Sequence, residues 1–334
     1  MFAYAAEENG VVVSLDDKGI IVLYASGIKR GVELGRRFGN AEGSVYPHDI
    51  ITNLKLNSKF VKGDIIAYNS GVFEQDILNP KNVVWKSSLL TMTAMLETVH
   101  EHEDSCTISK DLGNRLTTKT TKVRSIVVTF DQSITNLVKV GTELLPSDYL
   151  CIIQDAVTEN SGMLDEDTIY ALTKFSKNAP KAKYRSIVDR IEVLYHGDKD
   201  DMSKSLRSLA NQSDVELKSR AKSVGGVEHT GEVNSDYRVA GNPLALDTAE
   251  IKIYLTLSTN SGVADKLTFS GQLKSTISNV MTHSLTTENG VPVDATFGCN
   301  SLLARIVESG FIIGTTNTLL LEVGKQALAI YKGK

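Results

Sequence analysis

The apolar residues of this chain come in short runs, GVVVSL, GIIVLY, RSIVVTF, YLCII and EIKIYLTL, bounded by Gly, Asp or Asn. Runs of that length, rich in Val, Ile, Thr and Tyr, are too short for buried helices and read as strands. The framework is therefore β-rich. Residues 11 to 24 join two such runs across Asp16-Asp17-Lys18-Gly19, a hairpin in which Gly19 is expected to supply a positive φ. Val61-Lys62-Gly63-Asp64 reads as a turn into a strand at Ile65-Ile66-Ala67. From about 155 to 245 the chain is polar and charged. After a strand at about 186 to 195, the segment Asp201 to Ser223 spaces Leu206, Leu209, Val215 and Leu217 for a helix, with Ser203 or Asp201 as N-cap. Residues 223 to 247, with Gly225, Gly226, Gly231 and Gly241, read as an irregular return. The fold class is a β-rich α+β protein in which a partly helical module interrupts two β halves.

At roughly 150 residues per domain, 334 residues suggest two domains or one large domain with an insertion. Cys106, Cys151 and Cys299 are an odd number with no short spacing, so neither a disulfide framework nor a thiolate zinc site is indicated, and a reducing cytoplasm is expected. The opening MFAYAAEENG lacks the basic and apolar regions of a leader, and no stretch approaches the ~18 apolar residues of a membrane span. With 36 Lys and Arg against 40 Asp and Glu, the net charge of −4 argues against a free-standing nucleic-acid binder.

Three constellations carry potential chemistry. His100-Glu101-His102-Glu103-Asp104 is the densest group of possible ligands. Its histidines, at i and i+2, would share one face of a strand, which makes a metal site conceivable; a solvated strand end or loop is the plainer reading. In a third reading Glu103 and Asp104 act near a metal or phosphate held from elsewhere. Lys266 and Lys274 flank a stretch containing Ser270-Gly271, where compact ammonium charges and close backbone approach suit phosphate. Arg305 lies eleven residues beyond Asp294 in the apolar stretch LLARIVESGFII, where a guanidinium needs an anionic partner. GxxxxGK[ST], GxGxxG, GxSxG and HExxH are all absent.

Taken in order, these pieces resemble the β subunit of the multisubunit RNA polymerases. The family's Phe-Glu-Asp-Ser motif is similar to His102-Glu103-Asp104-Ser105, and its Gly-Asp-Lys-Met-Ala-Gly-Arg-His-Gly-Asn-Lys run to Ala264-Asp265-Lys266 through Lys274, with both lysines at the family spacing. Its Asn-Gly-Thr-Pro-Val-Asp followed by Arg resembles Asn289-Gly290-Val291-Pro292-Val293-Asp294 and Arg305, and its Arg-Gly-Asp-Val-Leu-Ala resembles Lys62-Gly63-Asp64-Ile65-Ile66-Ala67. The glycines that flank the family's second lysine are replaced here by Leu273 and Ser275. The resemblance runs from about residue 8 to 310 and covers only part of a cellular subunit; a β shortened in this way is most similar to the split β subunits of jumbo bacteriophages.

The resemblance implies a double-psi β-barrel with an inserted flap-like module. Its parts would be an N-terminal β lobe at 1–86, barrel halves at 87–150 and 246–312, the flap-like insertion at 151–245 and a C-terminal segment at 313–334. It implies a nucleotidyltransferase subunit of a DNA-directed RNA polymerase that is inactive alone. Lys266 and Lys274 would reach the RNA 3′ end and phosphates, and Arg305 the triphosphate of the incoming nucleotide. Glu103 and Asp104 would support the second Mg2+ indirectly, the catalytic Mg2+ being held mainly by a β′-like chain. The implied partners are other β and β′ fragments, template DNA, RNA product, nucleoside triphosphates and a promoter-recognition factor, with no membrane. The implied location is the cytoplasm of an infected bacterial host, and virion packaging is compatible with it. Two other classes stand beside this reading: a non-catalytic barrel protein with a structural or regulatory role at the polymerase, and a metal-dependent hydrolase built on His100 and His102.

Overall fold

In GVVVSL and GIIVLY every second apolar residue turns inward, so Val12, Ile20 and Val22 are fully buried. The computed structural model describes residues 3–41, 43–86, 88–155, 179–304 and 308–333. Residues 156–178 of the segment expected to form the flap-like insertion lie outside the described residues, as does Arg305. The chain is β-rich and divides into two compact units, Met1–Ser87 with Lys119–Ser258 and Ser88–Thr118 with Thr259–Lys334. Its strands form several sheets, with no closed barrel among the described residues.

In the larger unit, Gly10–Leu15 pairs antiparallel with Gly19–Tyr24 as expected. The turn is held by Asp16, whose Oδ1 accepts the amides of Lys18 and Gly19, both at 2.8 Å. Gly19 is not in the left-handed region, contrary to the expectation. A close approach is what requires glycine there: a Cβ would lie 2.5 Å from the Ser223 carbonyl oxygen, and one on Gly31 would lie 1.9 Å from that of Val224. Two bare backbones thus seat the end of the Lys204–Ser223 helix. Ion pairs from Lys18 to Glu216 at 2.7 Å and from Arg220 to Glu33 at 3.3 Å hold it there.

That helix is capped by Ser203, whose Oγ accepts the Leu206 amide at 3.4 Å. Leu206 and Ala210 enter a core with Ile126, Val128, Val193, Ile251 and Ile253, supplied by neighbouring strands of an eight-stranded sheet. Val215, expected on the buried face, is 68% exposed. Ser213 and Asp214 take the inward positions instead, and the Ser213 hydroxyl accepts the Val193 amide at 3.0 Å. The strand expected at 186 to 195 is Ser186–His196, and it pairs antiparallel with Thr248–Asn260. At the Val61-Lys62-Gly63-Asp64 turn, Gly63 does adopt a positive φ, 92°, ahead of the Ile65–Asn69 strand.

The smaller unit ends in the Glu308–Tyr331 helix, along which Ile312, Leu319, Leu320 and Ile330 are exposed. No described helix is long and apolar enough to cross a membrane.

Candidate functional site

The smaller unit brings the candidate residues together because its two chain segments interleave in one five-stranded sheet. The strand order is Thr93–Met95, Ala295–Phe297, Ser105–Ile108, Leu273–Val280, Lys266–Phe269. Thr93–Met95 runs parallel to Ala295–Phe297, and Ser105–Ile108 runs parallel to Leu273–Val280. One side of the sheet is apolar, with Cys106, Ile108, Leu273, Ile277, Ala295 and Phe297 packed with Leu112. Strand alternation turns Thr107, Thr296, Lys274 and Thr276 to the other side.

Lys266 and Lys274 stand on that other side. The sequence suggests a loop for them; the structure pairs them in a hairpin, with Lys266 opposite Thr276 and Thr268 opposite Lys274. Ser270, Gly271 and Gln272 form the turn, the first two at φ of 50° and 70°, and the Gln272 amide closes it on the Phe269 carbonyl at 3.1 Å. The lysines are therefore diagonal neighbours on one exposed face, roughly 7–8 Å apart at the backbone. Neither has a carboxylate partner among the described residues.

Glu103 and Asp104 meet the same row. The Thr276 amide donates to the Asp104 carbonyl at 3.1 Å, and Ser105 pairs with Thr276 in the sheet. Both acidic residues have a positive φ, 49° and 67°, a conformation that non-glycine residues adopt only when their surroundings enforce it. Several contacts do so. The Asp104 amide donates to the Ser301 hydroxyl at 3.1 Å, the Ser105 amide to the His102 carbonyl at 3.2 Å and the Ser105 hydroxyl to the His100 carbonyl at 2.7 Å.

His100 and His102 lie in the turns that precede the Ser105–Ile108 strand, so the alternation that would aim both rings to one face does not apply. Among the described residues no group of three or more His, Cys, Asp and Glu side chains is placed to hold a metal ion. Arg305 itself is outside the described residues, but the preceding Cys299–Ala304 helix contributes Ser301 to the acidic turn. Asp294, at the end of the Asn289 to Asp294 run, is committed elsewhere: its Oδ1 accepts Arg115 at 2.9 Å and its Oδ2 accepts the Met92 amide at 2.9 Å.

Glu101, between the two histidines, is the residue that sequence reasoning passed over. It is 2% exposed. Thr296 Oγ1 donates to its Oε1 at 2.5 Å, and the Thr98 hydroxyl donates to its Oε2. Burial alone would raise its pKa, but the hydroxyls of Thr296 and Thr98 favour the anion and hold it below the ordinary carboxylate value. The carboxylate thus fastens the segment carrying Glu103 and Asp104 onto the sheet. Gly298 lets the segment lie close, because a Cβ there would come within 2.6 Å of the Glu101 carbonyl oxygen. The Thr98-x-x-Glu101 spacing was the only trace of this in the sequence.

Neither a protein-family model nor a curated protein matches the chain.

Proposed function

We propose that this chain is a subunit of the catalytic core of a DNA-directed RNA polymerase. It would line the side of the active centre that holds the incoming nucleotide and the RNA 3′ end. The observation that carries the reading is the cross-strand row: Lys266 opposes Thr276, the Thr276 amide holds Asp104, and Lys274 shares the Lys266 face. Residues from motifs about 160 positions apart, read in family order, meet at neighbouring strands of one sheet. The interleaving of two distant segments through parallel pairs also supports a double-psi arrangement, with a large insertion between the barrel halves.

Nucleotidyl transfer asks protein groups for positioning and for neutralisation of developing charge rather than for covalent chemistry. Lys266 and Lys274 supply two fixed cations to phosphate oxygens, and Arg305 a planar donor fork suited to a triphosphate. Magnesium, when bound by the partner chain, supplies charge neutralisation at the phosphates. Glu103 and Asp104 fit a supporting role toward it: hydrogen bonds from Asp104 and Ser105 hold their turn, and Glu103 is exposed. The charge balance of −4 is compatible with this task, because a subunit needs only a local basic face on a shared channel.

The test is reconstitution. Affinity purification from the native source is expected to recover chains with an Asp-x-Asp-x-Asp motif. In the reassembled complex Lys266→Ala with Lys274→Ala is expected to slow elongation at least a hundredfold. Elongation at the parental rate would remove the site assignment, and the absence of such partner chains would remove the function.

A further inference from the structure

The Lys204–Ser223 helix of the larger unit buries one side and leaves a stripe along the other. Lys204, Ser208, Asn211, Val215, Lys218 and Lys222 follow one another at intervals of four and three residues, so they share one helix face, and all six are exposed. Gln212 is exposed beside them. We propose that this face lies in the major groove of duplex DNA, with the lysines on phosphates and the polar side chains between them on base edges. The inference does not rest on the polymerase reading, since it uses no residue of the candidate site.

Helical periodicity places the stripe away from the packing surface. Leu206, Ala210, Ser213 and Asp214 are buried on the opposite side, and the Ser223 end is seated against Gly19. From Lys204 to Lys222 the stripe runs about 27 Å along the axis, at about 1.5 Å per residue.

No acidic residue falls on it. The helix has two, Asp214 and Glu216, and both are engaged. Asp214 is buried with Lys199, and Glu216, about 100° around the axis from Val215, is held by Lys18 and Arg220. Asp200 and Asp201 lie ahead of the helix, where Asp200 pairs with Arg207 at 3.6 Å. Lys204, Lys218 and Lys222 have no carboxylate partner among the described residues. Three uncompensated cations on one face of a chain of net −4 are a local departure, and their complement is a polyanion.

The groups between the lysines select among polyanions. Asn and Gln amides pair with adenine, a Ser hydroxyl serves several base edges, and a small apolar side chain such as Val215 suits the thymine methyl. The Asn211 Oδ1 already accepts Lys199 at 3.1 Å, which leaves the Gln212 amide as the one without a side-chain partner among the described residues. The major groove of B-form DNA, about 12 Å wide, admits an α-helix. The major groove of an RNA duplex is too narrow for side chains to read, and a single strand offers no groove. A protein groove would ask for apolar anchors at i, i+3, i+4 and i+7; the stripe has Val215 alone.

The experiment uses the full chain and a fluorescently labelled DNA duplex of about 20 base pairs containing A·T and G·C pairs, with anisotropy followed across a salt series. A logarithmic salt slope of about −0.9 is expected per phosphate engaged, so three lysines predict about −3. K204Q/K218Q/K222Q is expected to weaken binding at least tenfold at low salt and to flatten the slope, with its circular dichroism unchanged. Gln212→Ala is expected to weaken binding three- to tenfold with the slope unchanged. A control, K55Q/K59Q/K62Q, makes the same change in net charge at exposed lysines elsewhere and is expected to change affinity less than twofold. Methyl green, which occupies the major groove, is expected to displace the chain, and distamycin, which occupies the minor groove, is expected to leave it bound. The proposal is overturned if the parent does not bind the duplex, if either stripe variant binds like the parent, or if the control loses as much as the triple variant. It is equally overturned if distamycin rather than methyl green displaces the chain, or if the parent prefers single-stranded DNA or duplex RNA.

Discussion

Both units bury carboxylates almost completely, Asp214 and Glu250 in the larger and Glu101 in the smaller, and Asp214 and Glu101 are kept in different ways. Asp214 in the larger unit is 4% exposed and has a cation: Lys199 Nζ lies 2.6 Å from its Oδ2, the Tyr195 hydroxyl donates to the same oxygen at 3.1 Å, and the Gly231 amide donates to Oδ1 at 2.7 Å. Glu101 in the smaller unit has hydroxyl donors and, among the described residues, no cation. The difference follows what each holds. Asp214 ties a helix to the glycine-containing return that packs on the Ser186–His196 strand, where a Cβ on Gly231 would lie 2.1 Å from the Val193 carbonyl oxygen. Glu101 holds down a turn whose two acidic residues are in the left-handed region, next to the strand that carries Lys274. A lysine partner there would have placed a competing cation beside the very carboxylates the turn presents. Neutral donors avoid it.

The largest effect is expected from Asp214→Ala, which leaves Lys199, Tyr195 and the Gly231 amide without their acceptor. Leaving the buried Tyr195 hydroxyl and Gly231 amide unsatisfied costs about 1–3 kcal/mol each. Guanidinium unfolding followed by the fluorescence of Trp85, which belongs to the same unit, measures it. A loss below about 1 kcal/mol would mean that Asp214 is dispensable and would dissolve the contrast.

Where the sequence was informative and where it was silent follows the same line. Strand runs, the 10–24 hairpin and the helix over 204–223 were legible because each is set by local periodicity and caps. The helix's inward face was misjudged at Val215 because Ser213 and Asp214, polar in composition, hydrogen-bond inward and so take the buried positions. Gly19 was recognised as a special position but for the wrong reason: its neighbour, Ser223, is 204 residues away, and no local pattern encodes such an approach. At the candidate site the charged residues were legible from motif order. Their strand placement was not, because the small residues Ser270 and Gly271 mark only the hairpin's tip. Glu101 was illegible because its donors, Thr98 and Thr296, are almost 200 residues apart.

An intermediate effect is expected from Glu101→Gln, about 1–3 kcal/mol, since the amide keeps the shape but surrenders acceptor capacity to buried hydroxyls. The pH dependence separates the two carboxylate designs further. Because Glu101 in the folded chain sits below its ordinary value of 4.5, its contribution is fully present above that pH and is lost as the pH falls through the folded value. Glu101→Gln should therefore flatten the acid limb of stability below pH 4.5. Hydrogen exchange of the amides around 98–108 should rise in this variant at neutral pH while exchange in the larger unit stays at the parental rate. An unchanged acid limb together with parental exchange would show that the hydroxyl set does not hold the turn.

The smallest effect is expected from Lys199→Met, and it decides what keeps Asp214 buried. The lysine side chain is 31% exposed, so solvent screens the pair and its removal should cost only about 0–1 kcal/mol. The amide of Gly231 and the phenol of Tyr195 remain as donors and do for Asp214 what Thr98 and Thr296 do for Glu101. On that expectation the two carboxylates differ in charge pairing but share their anchor, fixed neutral donors. If Lys199→Met instead costs as much as Asp214→Ala, the cation is the anchor and the two sites rest on different physics. A double-mutant cycle over Lys199 and Asp214 measures which holds: a coupling below about 1 kcal/mol leaves the neutral donors in charge, and one of 3 kcal/mol or more transfers the role to the ion pair.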